Sequence, residues 1–415
     1  MDNLNKGYWT SLYLLNFMFI VLVLTVLISN PFVYNPSIQQ ASAIKHTNSP
    51  HHTLPSIEDV TLTSSTASPP SSQSKTTTTS GCINYDSSTK TITVSCNSAR
   101  LSDVYNHIHD DSILAKQSQD GIWFLSANLV IAKGATFNIN TTDTKWLRIS
   151  SSAITNDNDI NLPFGISVYG SLKVDSVKIT SWNPITNNYS TTSGTPEHPG
   201  LPRPYIRVEQ GATGTTDITN SEIAYLRYGG KALGLPNRNA GLTGISYING
   251  GGKGSILKGN NIHDNWFGFY SRGVGGIVIE HNDIHKNYIY GIDPHTGTHD
   301  MVISDNVVHD KGAIGIICSL NCDNITIQNN DVYHHNQSGI MFSRNMSNSV
   351  ARNNTVNDEV KCIFVSKSRN NRIYDNLVSV ALLSSSVSQL ALHIIYITNS
   401  VLMVTTNSVV HGSVG

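Results

Sequence analysis

An asparagine-centred repeat is the feature that most constrains the fold of this chain. The pattern Asn-x-Ile/Val recurs at intervals of 22, 24, 24, 24 and 22 residues, starting at Asn260, Asn282, Asn306, Asn330, Asn354 and Asn376. A fixed period of this length indicates a solenoid, in which each repeat packs against its neighbours and has no separate core.

The composition of the repeats predicts β-strands. Short runs of Ile, Val and Phe alternate with Asn, Asp, Gly and His clusters that are typical of turns, and no ten-residue helical period lies between them. Leucine-rich repeats have a similar length, but Leu is scarce through 254–380. We therefore predict an all-β fold, a parallel β-helix, in which equivalent residues of successive coils form columns about 4.8 Å apart. The Asn column is expected to be structural, with its side-chain amides bonding along the stack.

The N-terminal 80 residues are predicted to lie outside the β-helix. An apolar run at 12–28 precedes the small-residue sequence Ala41-Ser42-Ala43, which favours a cleaved export signal, with an uncleaved membrane anchor as the alternative. Either way we expect an extracellular or cell-surface protein. The predicted organisation is 1–43 signal or anchor, 44–80 Ser/Thr/Pro-rich linker, 81–140 N-terminal capping region, 141–380 β-helix and 381–415 irregular coil or cap.

Two local features are expected near the start of the fold. Apolar residues spaced through 99–116 predict a short amphipathic helix that caps the open end of the solenoid. Cys82 and Cys96 flank a strand-like run, and after export they could form a disulfide. Farther along, the Gly-rich insertion at 229–237 is a candidate substrate-lining loop.

The charge balance limits the classes of partner. The chain has 415 residues, a net charge of −1 and only 13% charged residues. No global field would draw it to nucleic acid, so we expect no nucleic-acid partner, and an anionic substrate must be held by local side chains. We expect a monomer.

One coil breaks the apolar pattern of its columns. Aligned on the shared glycines, the column of Asp293 otherwise reads Tyr270, Ile317, Met341 and Phe364. His295 lies two residues on, so strand alternation predicts that it projects to the same side as Asp293. Tyr290 joins them only if the strand bends between 290 and 293. Such departures from a local rule mark functional or strained sites, although a turn ended by Pro294 would also account for the polar pair.

The sequence of this coil resembles the signature of mannuronan C5-epimerases, which are right-handed parallel β-helix enzymes that act on alginate. The run 282–295, which ends in Tyr290-Gly291-Ile292-Asp293-Pro294-His295, carries the similarity together with the stretches 265–271 and 222–230. The similarity extends over roughly 215–360 and is specific around 266–295. The resemblance implies that His295 is the base that removes the C5 proton, that Asp293 orients it or helps to hold the carboxyl group, and that Tyr290 is the acid or a positioning group. Asp293 would then also raise the basicity of the imidazole.

The chain departs from this family at two positions. Thr296 stands where many members have an acidic residue, and Leu320 stands where the exported branch has an arginine. Arg272, one coil before His295, and Arg344, two coils after it, are the candidate clamps for a uronate carboxylate, because a guanidinium pairs with carboxylates through two parallel hydrogen bonds. The remaining candidate substrate-binding residues are Tyr270 and Lys311.

Three functions remain open at this stage. The first is a polysaccharide uronate C5-epimerase, and the second is a polysaccharide lyase, since the same deprotonated intermediate can expel the C4 oxygen. The third is a non-catalytic surface β-helix that binds glycans. The partner in each case is an acidic polysaccharide or another glycan. No cofactor or catalytic metal is required, although Asp and Asn turns could bind Ca²⁺ as a structural ion.

Overall fold

Three β-sheets wind into a right-handed parallel β-helix around one hydrophobic core. The structure is a computed structural model, and it describes residues 81–118, 120–151, 164–191, 203–227, 243–381, 393–398, 401–404 and 410–413. The apolar run at 12–28, the linker and the insertion at 229–237 lie outside the described residues, so what the sequence indicates for them stays a prediction. Within the described part, no helix is both long and apolar enough to cross a membrane.

The strands follow one another in short succession. The N-terminal strands are β1 (Ile83–Asp86), β2 (Thr91–Val94), β3 (Leu114–Ser118), β4 (Ile122–Leu125), β5 (Asn128–Ile131), β6 (Thr136–Asn140), β7 (Trp146–Ser150), β8 (Gly165–Val168), β9 (Ser171–Asp175), β10 (Lys178–Trp182), β11 (Tyr205–Val208), β12 (Thr216–Thr219) and β13 (Glu222–Ala224). The central strands are β14 (Gly244–Ile248), β15 (Ile256–Lys258), β16 (Asn261–His263), β17 (Phe267–Arg272), β18 (Val278–Glu280), β19 (Asp283–His285), β20 (Tyr290–His295), β21 (His299–Ser304), β22 (Val307–His309) and β23 (Ile314–Ser319). The C-terminal strands are β24 (Asp323–Gln328), β25 (Asp331–Tyr333), β26 (Ser338–Ser343), β27 (Val350–Arg352), β28 (Thr355–Asn357), β29 (Lys361–Ser366), β30 (Arg369–Tyr374), β31 (Leu377–Ala381), β32 (His393–Thr398), β33 (Val401–Val404) and β34 (Val410–Ser413).

Beyond the first four strands, each coil contributes one strand to each of the three sheets. Sheet A has the order β1-β2-β5-β8-β11-β14-β17-β20-β23-β26-β29-β32, sheet B the order β33-β30-β27-β24-β21-β18-β15-β12-β9-β6, and sheet C the order β3-β4-β7-β10-β13-β16-β19-β22-β25-β28-β31-β34. The pairings are parallel except β1 with β2 and β3 with β4. The predicted fold class is therefore confirmed.

The Asn-x-Ile/Val repeat forms the corner between sheets B and C. The aliphatic residue of each repeat is fully buried, as in Ile262, Ile284 and Val308. The preceding Asn is also buried, and its Nδ2 donates to the Oδ1 of the next Asn at 2.8–2.9 Å from Asn260 through Asn376. The Asn column is thus structural, as predicted, because it satisfies buried polar groups at every corner.

The N-terminal cap is shorter than the predicted helix. Helix α1 spans Leu101–Ile108 and packs against β1 and β3. It ends because His109 adopts a left-handed φ of 51°, which closes the last turn through its N–H to Tyr105 O. The apolar residues that follow begin β3, which pairs antiparallel with β4. The expected helix over 99–116 was therefore wrong in its second half.

Both ends of the β-helix differ in detail from the predicted boundaries. Cys82 and Cys96 form the predicted disulfide, with their Cα atoms 4.9 Å apart. Parallel stacking already begins where β2 meets β5, within 81–140. At the C-terminus, β32, β33 and β34 stack on β29, β30 and β31 and so add one further coil.

Candidate active site

The candidate site lies on the outer face of sheet A, where β20 bends at Gly291. A Cβ atom on Gly291 would lie 2.5 Å from Val308 Cγ1, so this position faces the core. The next residue, Ile292, is fully buried as well. Two successive inward positions interrupt the alternation of the strand, and this interruption turns Tyr290 to the same outer face as Asp293 and His295. The bend that the sequence interpretation required is present.

Aromatic rings connect the two ends of β20 across this face. The ring of Tyr290 lies 5.1 Å from that of Phe267, which lies 5.9 Å from that of Tyr270. Tyr270 in turn lies 5.7 Å from the imidazole of His295. Tyr290 and His295 are the first and last residues of the strand. The phenol in contact with the imidazole is therefore that of Tyr270.

Asp293 is a buried carboxyl group on the outer face of the sheet. It is 1% exposed, and its Oδ1 has no hydrogen-bond partner among the described residues. Burial raises the pKa of Asp293 well above its ordinary value, and the nearby charge of Arg344 offsets this only in part. A carboxyl group in this environment favours the protonated form, which can donate a hydrogen bond to an anionic ligand.

His295 is held neutral by its surroundings. Its Nδ1 lies 2.6 Å from Thr296 Oγ1. Burial lowers the pKa of His295 to about 4, and the positive charges of Arg344 and Arg272 contribute to the lowering. The expectation that Asp293 raises the basicity of this imidazole was wrong. Asp293 and His295 form no hydrogen bond with each other among the described residues, and burial disfavours the imidazolium.

Two arginines reach the site from different coils. Arg272 is the register partner of His295 on the neighbouring strand, as the column alignment predicted, and its side chain is exposed. Arg344 follows β26, yet its Nη2 donates to Ser319 Oγ at 2.9 Å, and Ser319 is the register partner of His295 on the other side. The Arg344 side chain therefore extends back towards His295, and it occupies the flank on which Leu320 supplies no charge.

The other two predicted binding residues lie in different environments. Tyr270 is 7% exposed, and burial raises the pKa of its phenol. Lys311 is exposed in the turn before β23, with its Nζ 5.5 Å from the ring of Tyr288. This turn is at the opposite edge of sheet A from His295, so the structure does not bring Lys311 into the group around the imidazole.

Sequence reasoning missed two parts of this site. Thr296 was noted only as a departure from a family pattern, although its position directly after His295 was a signal that its hydroxyl could reach Nδ1. The ring contact of Tyr270 with His295 was missed as well, although the two residues are two columns apart on neighbouring strands. Among the residues that the structure describes, no group of three or more His, Cys, Asp or Glu side chains is placed to hold a metal ion.

Comparison with solved structures shows a shared fold. The periplasmic alginate epimerase AlgG superposes with a TM-score of 0.57 at 18% identity, over 78% of this chain and 84% of that chain. A point mutant of AlgG superposes with a TM-score of 0.56 at 20% identity, over 70% and 67% of the two chains. The A-module of the Azotobacter vinelandii mannuronan C-5 epimerase AlgE4 gives a TM-score of 0.41 at 15% identity, over 71% and 81%. At 18–20% identity, the two AlgG structures support the shared fold alone.

Sequence comparison identifies the family at the same level. A search of curated protein sequences returned no match. The profile of the family described as "Right handed beta helix region" matches residues 206–319 and 244–413. These ranges together extend over half of the 415 residues. The chain therefore belongs to the right-handed β-helix family.

Proposed function

We propose that this protein is a uronate C5-epimerase that acts on an acidic polysaccharide and resembles the mannuronan C5-epimerases. The observation that carries the proposal is His295, a neutral imidazole that lies on the outer face of sheet A with Arg272 and Arg344 close enough to lower its pKa. A base flanked by cations suits the removal of a proton next to a carboxylate, because the cations bind the carboxylate and stabilise the charge that develops.

The reaction can be followed through the residues of this chain. Arg344 and Arg272 bind the carboxylate of the sugar, and Asp293 helps to hold it or to orient His295. Thr296 Oγ1 accepts a hydrogen bond from the Nδ1–H of His295. In this tautomer Nε2 carries the lone pair and removes the C5 proton. Tyr290 then donates its phenolic proton to the opposite face of C5. The imidazolium releases its proton to solvent and the phenolate regains one, so the sugar is inverted with no net change in protons.

Further parts of the proposal concern the setting of the enzyme. The apolar N-terminal run and the relation in fold to a periplasmic alginate epimerase support export of this chain to a compartment that contains such polymers. The proposed chemistry moves only protons, so no cofactor is needed for it. The long outer face of sheet A, with strands of successive coils in register, suits an extended polymer.

The test is to incubate the protein with polymannuronate and with other polyuronates. Proton NMR should show the C5-inverted sugar, and absorbance of unsaturated chain ends should stay flat. His295→Ala should abolish the NMR change. His299→Ala is the matched control, since His299 is exposed, lies four residues on and pairs with Asp300 at 2.8 Å.

Other outcomes would contradict the proposal. Growth of the absorbance of unsaturated ends, lost in His295→Ala, would show a lyase instead. Turnover of none of the polymers, or full activity in His295→Ala, would remove the assignment of this site to either reaction.

A further inference from the structure

A cleft outside the candidate active site lies at the corner between sheets C and A. It has a volume of about 70 Å³, is partly open to solvent, and is lined in part by Tyr225, Asp264, Lys286, Tyr288 and Lys311. Lys286 and Tyr288 precede β20, whereas His295 ends it. At roughly 3.3 Å per residue, the cleft and the imidazole are on the order of 20 Å apart along the strand. The cleft therefore lies beyond the start of β20, next to Tyr290 and at the opposite end of the strand from His295.

The cleft is positively charged. The side chains of Lys286 and Lys311 are both exposed, and neither forms an ion pair within 4.0 Å among the described residues. The carboxylate of Asp264 is already engaged, because its Oδ2 lies 2.9 Å from His263 Nδ1. The buried Arg203 adds further positive charge, and its guanidinium donates to the backbone carbonyls of Leu226 and Arg227. A ligand that complements this cleft is an anion.

Aromatic rings held in place by neighbours form part of the wall. Tyr288 is 42% exposed and stacks on Trp266 at 4.8 Å with nearly parallel planes. Tyr225 stacks on Tyr189 at 4.5 Å. Because stacking already fixes these rings, a ligand that packs against them loses little conformational entropy of the side chains. Fixed aromatic rings beside cations suit a sugar that carries a carboxylate better than a simple inorganic anion.

The cleft crosses several coils. Its lining residues Tyr225, Asp264, Lys286 and Lys311 come from four successive coils, which corresponds to about 14 Å along the stacking axis at about 4.8 Å per coil. A cleft with this direction and length suits consecutive units of a chain.

We propose that this cleft is a second binding site, which takes carboxylated sugar units of an acidic polysaccharide and holds the polymer away from His295. The site would retain a long chain on the protein while another part of the chain lies on sheet A, and this raises the local concentration of polymer at sheet A. The choice of a polyuronate as ligand rests on the proposed function, but binding in the cleft requires no turnover.

The test measures binding by titration calorimetry with the full-length protein carrying His295→Ala, so that no reaction occurs. The probes are an oligomannuronate, a neutral mannose oligomer of the same length, and sodium sulfate. In this background Lys286→Ala with Lys311→Ala should weaken oligomannuronate binding by at least roughly tenfold, which is the loss expected for charge-assisted contacts. Lys133→Ala, which removes an exposed lysine between sheets A and B, is the matched control and should change nothing.

The outcomes separate the two proposals. Equal affinity of the double variant and the Lys133→Ala control would overturn the second site, as would equal binding of the neutral oligomer. Displacement of the oligomer by sulfate at equal molar concentration would show a simple anion site, and would also overturn it. Turnover is assayed separately on the unmodified protein, so a protein that binds through the lysines but inverts no uronate would contradict the proposed function alone.

Discussion

The imidazole of His295 determines the pH range in which the proposed reaction can proceed. Burial, with the charges of Arg344 and Arg272, lowers the pKa of His295 to about 4, so the base is neutral above that pH and protonated below it. We expect kcat/KM to fall on the acid side only as the pH drops through about 4. In Arg344→Gln a positive charge is lost, the pKa of His295 rises towards its ordinary value, and the acid limb should move to higher pH.

The measurement is the pH profile of kcat/KM for both proteins. Arg372→Gln is the control, because Arg372 is exposed on sheet B and should leave the limb in place. An acid limb that does not move in Arg344→Gln would show that this guanidinium does not act on His295.

Arg227 carries a buried positive charge without a hydrogen-bond partner for its side chain among the described residues. Arg227 is 1% exposed, and none of its three side-chain nitrogens has a hydrogen-bond partner among the described residues. Burial lowers its pKa to about 10, which shows that the charged form is disfavoured in the fold. Arg227→Met removes the charge and keeps an unbranched apolar side chain in the site, so the free energy of unfolding should rise by about 1–3 kcal/mol. Urea denaturation checks this; a decrease would mean that the guanidinium has a stabilising partner.

Single residues also show where prediction from the sequence stops. The column alignment placed Arg272 beside His295 correctly, because register in a parallel stack follows from counting residues. It could not show that Arg344 extends back to Ser319, or that Thr296 bonds to the imidazole. Those contacts depend on side-chain rotamers, which the repeat period of the sequence does not determine.

At the scale of elements, the Asn ladder should dominate the stability of the B–C corner. The side chain of Asn260 accepts from Ser221 N and donates to Ile218 O and Asn282 Oδ1. Asn260→Ala leaves these buried groups without partners and should lower the free energy of unfolding by about 2–4 kcal/mol. Asn261→Ala is the matched control, because Asn261 is exposed and its Oδ1 lies 2.9 Å from Nε2 of His285, outside the ladder. Denaturation midpoints that shift equally in the two variants would contradict a structural ladder.

The elements that lack this ladder were harder to predict. In the N-terminal coils the sheet A strands β5, β8 and β11 begin at Asn128, Gly165 and Tyr205, so the coils are longer and unequal, and no period emerges from the sequence. The helix prediction failed in its second half for a related reason. Ile113 and Leu114 have helical spacing from α1, yet their burial comes from β3 and its pairing with β4. The pairing of β3 with β4 determines the structure of this segment, and the local spacing of apolar residues does not reveal that pairing.

At the scale of the whole molecule, a destabilising change at one end of the stack of coils should destabilise mainly the coils next to it. The Cys82–Cys96 disulfide closes a loop with a sequence separation of 14 and joins the start of β1 to the end of β2. Cys82→Ser with Cys96→Ser should cost about 3 kcal/mol by the loop-entropy estimate. Each coil contacts mainly its neighbours, so the loss should be concentrated in the N-terminal coils and should leave β17 to β23, with the candidate active site, unchanged. Hydrogen exchange should therefore accelerate in β1 and β2 and stay constant in β20, and turnover should be retained. Uniform acceleration along the chain would show that the solenoid unfolds as one cooperative unit.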